Sequence, residues 1–123
     1  MFIQQPFDEF LGFQYVRTSE KEIKVELPIK DLFLNSVGVV HGGIISSLAD
    51  VAMCNTLQTD VCGKQKVVTV DLKVTFLKGA KGKNLVACAE LIKSGRTLTH
   101  VDCFIYDDNE MLVAKANGVY ANC

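Results

Sequence analysis

One short stretch in the first half of the chain combines residue types that could do chemistry. A glycine pair, Gly42 and Gly43, opens an apolar run that carries one carboxylate, Asp50. A helix that begins there presents unpaired backbone N–H groups and a partial positive charge, and glycine lets a ligand approach them closely. Such a helix start can hold a developing oxyanion. A carboxylate in an apolar helix costs desolvation energy unless it has partners or a task, which makes Asp50 a candidate catalytic group.

The distance between these two groups points to an oligomer. Asp50 lies eight residues after Gly42, which corresponds to roughly 12 Å along a helix axis. A reacting carbonyl must lie about 3 Å from both the nucleophile and the oxyanion donors, so one substrate cannot use both groups of one helix. If both groups are catalytic, they come from antiparallel helices of two subunits, and the sequence predicts a dimer with shared sites.

The spacing of these residues resembles that of a known family. Asn35 lies six residues before His41, and Asp50 lies nine residues after it. Further matching segments are Thr69–Phe76, Ser94–Arg96, Leu112–Ala114 and Gly118–Tyr120. From about Leu11 to Tyr120 the chain resembles the hotdog-fold acyl-CoA thioesterases of the phenylacetate-pathway type.

The resemblance implies a role for each matching residue. Asp50 would be the general base or the nucleophile, and Gly42 would donate its backbone N–H to the oxyanion. Thr69 would lie beside the attacking water or the carboxylate, although threonine also suits any strand. Asn35 and His41 would shape the site, although a loop asparagine is often a turn former.

The resemblance also implies that the substrate is an acyl-CoA, so coenzyme A is part of the substrate and no cofactor or metal is needed. Its phosphates need cations or backbone N–H groups. Arg96, next to Gly95 in a turn, is the first candidate, and Lys83 and Lys78 are weaker ones because most such lysines are only solvated. Gly43 is a further candidate substrate-binding residue, although close packing explains it better.

Composition narrows the class of protein. The chain has 123 residues, which predicts one domain over 1–123. Its apolar content of 49% fits a rich core or extra burial in a homo-oligomer, a dimer or a dimer of dimers. A net charge of −1 argues against non-specific nucleic-acid binding. We expect no membrane span, since no apolar run approaches 18 residues, and no signal peptide.

The cysteines indicate the cellular compartment, and the histidines bear on metal binding. The five cysteines are odd in number and include no Cys-x-x-Cys pair, which predicts reduced thiols in a cytoplasmic protein. With only two histidines, a His-rich metal site is poorly supported.

The hydrophobic pattern predicts an α+β fold. Two strands, a long helix and four strands joined by short turns follow one another, which favours an antiparallel sheet of about six strands around one helix. Phe10–Arg17 is predicted to be a short strand or an entry segment. The other predicted strands are Glu22–Pro28, Val67–Leu77, Leu85–Lys93, Arg96–Tyr106 and Met111–Tyr120, and the helix runs from Gly42 to about Thr59. On the third strand, alternation places Val68, Val70, Leu72, Val74 and Phe76 on one face and Thr69 on the other. The resemblance implies the same arrangement, the hotdog fold.

Two rival functions remain open from the sequence. A hotdog hydratase or dehydratase would rely on a histidine and a carboxylate in a different motif, and a non-catalytic acyl-CoA sensor would bind without turnover. An assay would separate the three functions: a thioesterase releases free thiol from acyl-CoA, a hydratase hydrates enoyl-CoA, and a sensor binds acyl-CoA without turnover. The acyl group is not determined by the sequence.

Overall fold

One antiparallel sheet and one long helix make up the architecture. The computed structural model describes residues 2–123, and Met1 lies outside the described residues. The elements are α1 (Pro6–Leu11), β1 (Gln14–Arg17), β2 (Glu22–Pro28), α2 (Gly42–Cys54), β3 (Val67–Phe76), β4 (Asn84–Ser94), β5 (Leu98–Tyr106) and β6 (Leu112–Asn122), with a 3-10 turn at Asp31–Phe33. The strand order is β1-β2-β4-β5-β6-β3, and all pairs are antiparallel.

Helix α2 lies against the inner face of this sheet. It buries Ile45, Leu48, Ala49, Ala52 and Met53 against the strands. Every second residue of β2, of the first half of β4 and of β5 is also buried on that face, as expected for strands with one face in a core. The predicted α+β hotdog arrangement of six strands around one helix is confirmed. In the described part of the chain, no helix is long and apolar enough to span a membrane.

Two predicted boundaries were wrong at the ends of these elements. The predicted strand or entry segment begins at Phe10, yet α1 occupies Pro6–Leu11 and β1 begins only at Gln14. Helix α1 forms because Gln5 and Asp8 cap its start reciprocally and Gly12 ends it in the left-handed region, at a φ of 86°.

Helix α2 ends at Cys54 rather than near Thr59. The Arg17 guanidinium donates to the carbonyl oxygens of Asn55, at 2.7 Å, and Thr56, at 3.3 Å. The Thr56 hydroxyl also donates to the Met53 carbonyl at 2.8 Å. These partners satisfy backbone groups that a continuing helix would need, so the apolar pattern beyond Cys54 does not extend it.

The predicted faces of β3 were wrong in its first half. A β-bulge lies between Thr69 and Asp71, so Thr69 pairs with Tyr120 while Asp71 pairs with Val119. Thr69 therefore lies on the inner face with Leu72 and Val74. Val68 and Val70 stay about half exposed, at 46% and 56%.

Candidate active site

Asp50 is held by two hydroxyl groups from neighbouring strands. Thr69 Oγ1 donates to Asp50 Oδ1 at 2.8 Å, and the Tyr120 hydroxyl donates to the same oxygen at 2.9 Å. Within residues 2–123, Asp50 Oδ2 has no hydrogen-bond partner. One oxygen is therefore fixed by the fold, and the other is available to a ligand or to water.

An open cleft gives access to this carboxylate. The cleft has a volume of about 230 Å³ and lies between the C-terminal half of α2 and the N-terminal segment. Besides Asp50 and Thr69, its lining includes Ile3, Phe7, Asp8, Val51, Cys54 and Gln65. Asp50 is thus reachable from solvent, while Tyr120 behind it is completely buried.

The environment of Asp50 keeps its neighbours protonated. Burial, and then the charge of Asp50, raise the pKa of the Tyr120 phenol far above its usual value. The same two causes raise the pKa of the Cys54 thiol, one helical turn after Asp50, to about 12. Tyr120 is therefore a hydrogen-bond donor at any working pH, and Cys54 is a neutral thiol that does not compete as a nucleophile.

Gly42 forms the other end of the predicted constellation. No described side chain caps α2, so the N–H of Gly42 in its first turn points out of the helix without an intrahelical acceptor. A Cβ on Gly42 would lie 3.1 Å from Phe76 Cζ, whereas a Cβ on Gly43 would meet nothing within 4 Å. Close packing was the explanation considered above for Gly43. The structure shows that Gly42, and not Gly43, is the glycine that packs closely against a neighbouring side chain.

Asn35 and His41 lie beside this helix start. Asn35 Oδ1 accepts from the backbone N–H groups of Val37, at 3.1 Å, and Val39, at 3.2 Å. The asparagine thus closes its own loop, which leads directly into α2. His41 is the N-cap residue, its N–H donates to the Phe33 carbonyl at 2.9 Å, and its ring is exposed.

The predicted phosphate-binding cations lie at two ends of the subunit. Arg96 lies in the β4–β5 turn, at the same end of the sheet as Thr69, and its side chain is exposed. Lys78 and Lys83 follow β3 at the end where Gly42 meets Phe76. Lys78 Nζ forms an ion pair with Asp107 at 2.9 Å, which holds the pKa of that carboxyl below its usual value. Lys83 is exposed, and its backbone N–H donates to Asp108.

The structure therefore brings together only part of the predicted set. Asp50 and Thr69 are in contact, and Gly42 lies at the opposite end of the same continuous helix. The sequence reasoning missed Tyr120 as a site residue, because the contact joins residues 70 positions apart. A signal was present in Gly118, two positions earlier in the strand, where a glycine leaves room for a large neighbouring ring.

Comparison with known proteins agrees with this fold and identifies the family. Residues 37–114 match the family model described as the thioesterase superfamily. Acyl-coenzyme A thioesterase 13 of Homo sapiens is 30% identical over 100 residues, which cover 78% of this chain and 71% of that protein. The BH2602 protein from Bacillus halodurans, solved with CoA, is 27% identical with a TM-score of 0.86, covering 98% of this chain and 80% of that one.

The fold also matches that of the E. coli PaaI protein from the phenylacetic acid degradation operon. That structure has a TM-score of 0.85 at 23% identity and covers 98% of this chain and 86% of its own. The architecture is thus the hotdog fold predicted from the sequence. The chain belongs to the thioesterase superfamily, and it is a thioester hydrolase.

Proposed function

We propose that this protein is a homo-oligomeric acyl-CoA thioesterase, which hydrolyses an acyl-CoA to a free carboxylic acid and coenzyme A. The observation that carries the proposal is Asp50, whose Oδ1 is held by two hydroxyl donors while Oδ2 is open to a cleft. The choice of coenzyme A as the thiol rests on relatives, a human acyl-coenzyme A thioesterase and a Bacillus protein solved with CoA.

Hydrolysis would use groups from two subunits. The Gly42 N–H of one subunit polarises the thioester carbonyl, and Asp50 of the partner subunit takes a proton from water through Oδ2 as the water attacks the carbonyl carbon. The C–S bond then breaks, and coenzyme A leaves as a thiolate that recovers the proton. Direct attack by Asp50 would instead form an anhydride that water hydrolyses, and both routes need the same oxygen.

Two subunits are needed because α2 is continuous from Gly42 to Cys54. The two groups therefore remain roughly 12 Å apart in one chain. If two subunits lie with their α2 helices antiparallel, the Gly42 end of one meets the Asp50 end of the other. The same packing brings Lys78 and Lys83 of one subunit towards Arg96 of the partner subunit, which would surround the phosphates of coenzyme A with positive charge.

The role of Asp50 is tested by Asp50→Asn, with Asp71→Asn as the matched control. Asp71 is an exposed carboxylate on the outer face of β3. We expect Asp50→Asn to lower kcat for acyl-CoA by roughly 10²–10⁴-fold, the range for a lost acid–base group. Asp71→Asn should retain normal kcat. Near-normal thiol release by the Asp50→Asn protein would refute the assignment.

A further inference from the structure

The contact between Tyr120 and Asp50 assigns a role to a residue outside the predicted set. We propose that Tyr120 is a positioning residue: together with Thr69 it fixes Asp50 Oδ1, so that Oδ2 alone faces the reacting water or thioester. This inference rests on the proposed role of Asp50.

The two donors are placed by the sheet itself. Thr69 and Tyr120 are directly opposite each other in the β3–β6 pairing, and the bulge after Thr69 keeps it on the inner face. Both hydroxyl groups reach the same oxygen, at 2.8 Å and 2.9 Å. A carboxylate that accepts two such bonds at one oxygen cannot rotate freely about its side chain. The remaining oxygen therefore keeps one direction, which is what a general base or a nucleophile needs.

Gly118 provides the space that the Tyr120 ring occupies. A Cβ built on Gly118 would lie 2.6 Å from Tyr120 Cε1 and 3.0 Å from its hydroxyl oxygen. The ring therefore lies against the backbone of Gly118, two positions earlier on the same strand. A side chain at this position would displace the ring and with it the hydroxyl that Asp50 accepts from. The backbone of β6 at Gly118 thus fixes the orientation of the Tyr120 ring.

The burial of Tyr120 strengthens this interaction. The residue has no exposed surface, and a hydrogen bond from a neutral donor to a carboxylate is stronger where water is excluded. The raised pKa of the phenol also prevents it from ionising beside Asp50. Tyr120 does not touch the cleft, so it would act only through Asp50.

Tyr120→Phe tests the proposal, because it keeps the ring and removes the hydroxyl. We expect kcat for acyl-CoA to fall roughly 10- to 100-fold, as for a lost hydrogen bond to a charged group, with KM changed less than about twofold. A purely structural role would lower the melting temperature without lowering kcat per folded molecule. Tyr106→Phe is the matched control, because Tyr106 lies at the end of β5 outside the cleft and should retain normal kcat.

Gly118→Ala provides a second route to the same hydrogen bond and decides the case if Tyr120→Phe does not fold. It should lower kcat while keeping the tyrosine, and Gly118→Ala with Tyr120→Phe should be no slower than Tyr120→Phe alone. Normal kcat in a folded Tyr120→Phe protein overturns the proposal, as does a double variant whose loss is the product of the single losses. If Tyr120→Phe does not fold, normal kcat in Gly118→Ala overturns the proposal. None of these results affects the role of Asp50, which Asp50→Asn tests separately.

Discussion

At the scale of single residues, burial and then the charge of Asp50 keep the groups around this carboxylate protonated. Asp50 lies one helical turn before Cys54. Burial alone already raises the pKa of the Cys54 thiol. Because only the thiolate reacts readily, a thiol with a pKa of about 12 is almost inert near neutral pH. In the proposed mechanism Asp50 is therefore the one reactive group, and the sulfur beside it contributes packing.

This protonation state predicts how the cysteines react with iodoacetamide. At pH 8 only about one Cys54 thiol in ten thousand is ionised, given its pKa of about 12. We expect Cys54 to be alkylated at least about 100-fold more slowly than the exposed Cys62 in the folded protein. Peptide mapping by mass spectrometry after timed labelling measures both rates.

Asp50→Asn provides the control for this labelling experiment. It removes the second cause of the raised pKa and leaves burial, the larger cause, in place. Cys54 should therefore react faster in the variant and still more slowly than Cys62. Equal labelling rates for Cys54 and Cys62 in the original protein would contradict the buried, neutral thiol described here.

Residue types and spacing predict the candidate site only where its residues belong to one continuous segment of the chain. Asp50 and Gly42 belong to one helix, so their separation could be calculated from the helix rise. Thr69 was selected by resemblance alone, since its alternation pattern predicted the outer face. Tyr120 was not selected, because its role depends on a contact between β6 and α2, and Gly118 indicates only that its ring has room.

At the scale of elements, the bulge in β3 decides which residues face α2. A one-residue irregularity exchanges the two faces of a strand, because side chains alternate with a period of two. The run from Val67 to Phe76 alternates regularly in sequence, so nothing in it indicated that Val70 would be the extra residue. The strand itself and its ends could be predicted, whereas the face that carries Thr69 required the pairing with β6.

The loop before α2 is a second element whose geometry supports the site. Asn35 Oδ1 binds two backbone N–H groups, and Asn35 N–H donates to the Val39 carbonyl at 2.8 Å. The loop leads to Gly42, so its shape sets the direction of the first N–H groups of the helix. A loosened loop would misplace the proposed oxyanion donor without changing Asp50.

Asn35→Ala should destabilise the protein by about 1–2 kcal/mol, because two backbone donors lose their acceptor. Asn35→Asp keeps that oxygen and loses only the amide donor, so we expect it to retain both the stability and most of kcat. Denaturant unfolding and steady-state kinetics on the two variants measure these effects. A stable but inactive Asn35→Asp protein would mean that the amide Nδ2 acts on the substrate.

At the scale of the whole molecule, the proposed mechanism requires a second subunit, because its two groups lie far apart in one chain. Thr69, Asp50 and the Arg96 turn lie at one end of the sheet, and Gly42 with the Lys78–Lys83 turn lies at the other. The partial positive charge of a helix start acts only within its first turn, so Gly42 has no electrostatic influence on chemistry at Asp50 of the same chain. Each subunit thus carries two different halves of the proposed site.

Gly42→Pro removes the proposed oxyanion donor with little disturbance of the helix. Gly42 is the first helical residue, where proline is well tolerated because the helix does not use that N–H. His41 already has the extended backbone that a residue before proline requires, with φ −54° and ψ 139°. Gly42→Ala is the matched control, because it places a Cβ against Phe76 and keeps the N–H. We expect a much lower kcat for Gly42→Pro than for Gly42→Ala.

Shared sites predict that two inactive proteins restore activity when their subunits combine. In a dimer of one Gly42→Pro subunit and one Asp50→Ala subunit, one of the two sites pairs an intact Gly42 with an intact Asp50 from the other chain. Hybrids purified through two different affinity tags should therefore show about half of the original kcat per dimer, as the symmetry of a two-fold dimer requires. Each variant alone should stay inactive under the same conditions. If sites were contained within single subunits, every site in the hybrid would lack one group, and verified hybrids without recovered activity would exclude the shared arrangement.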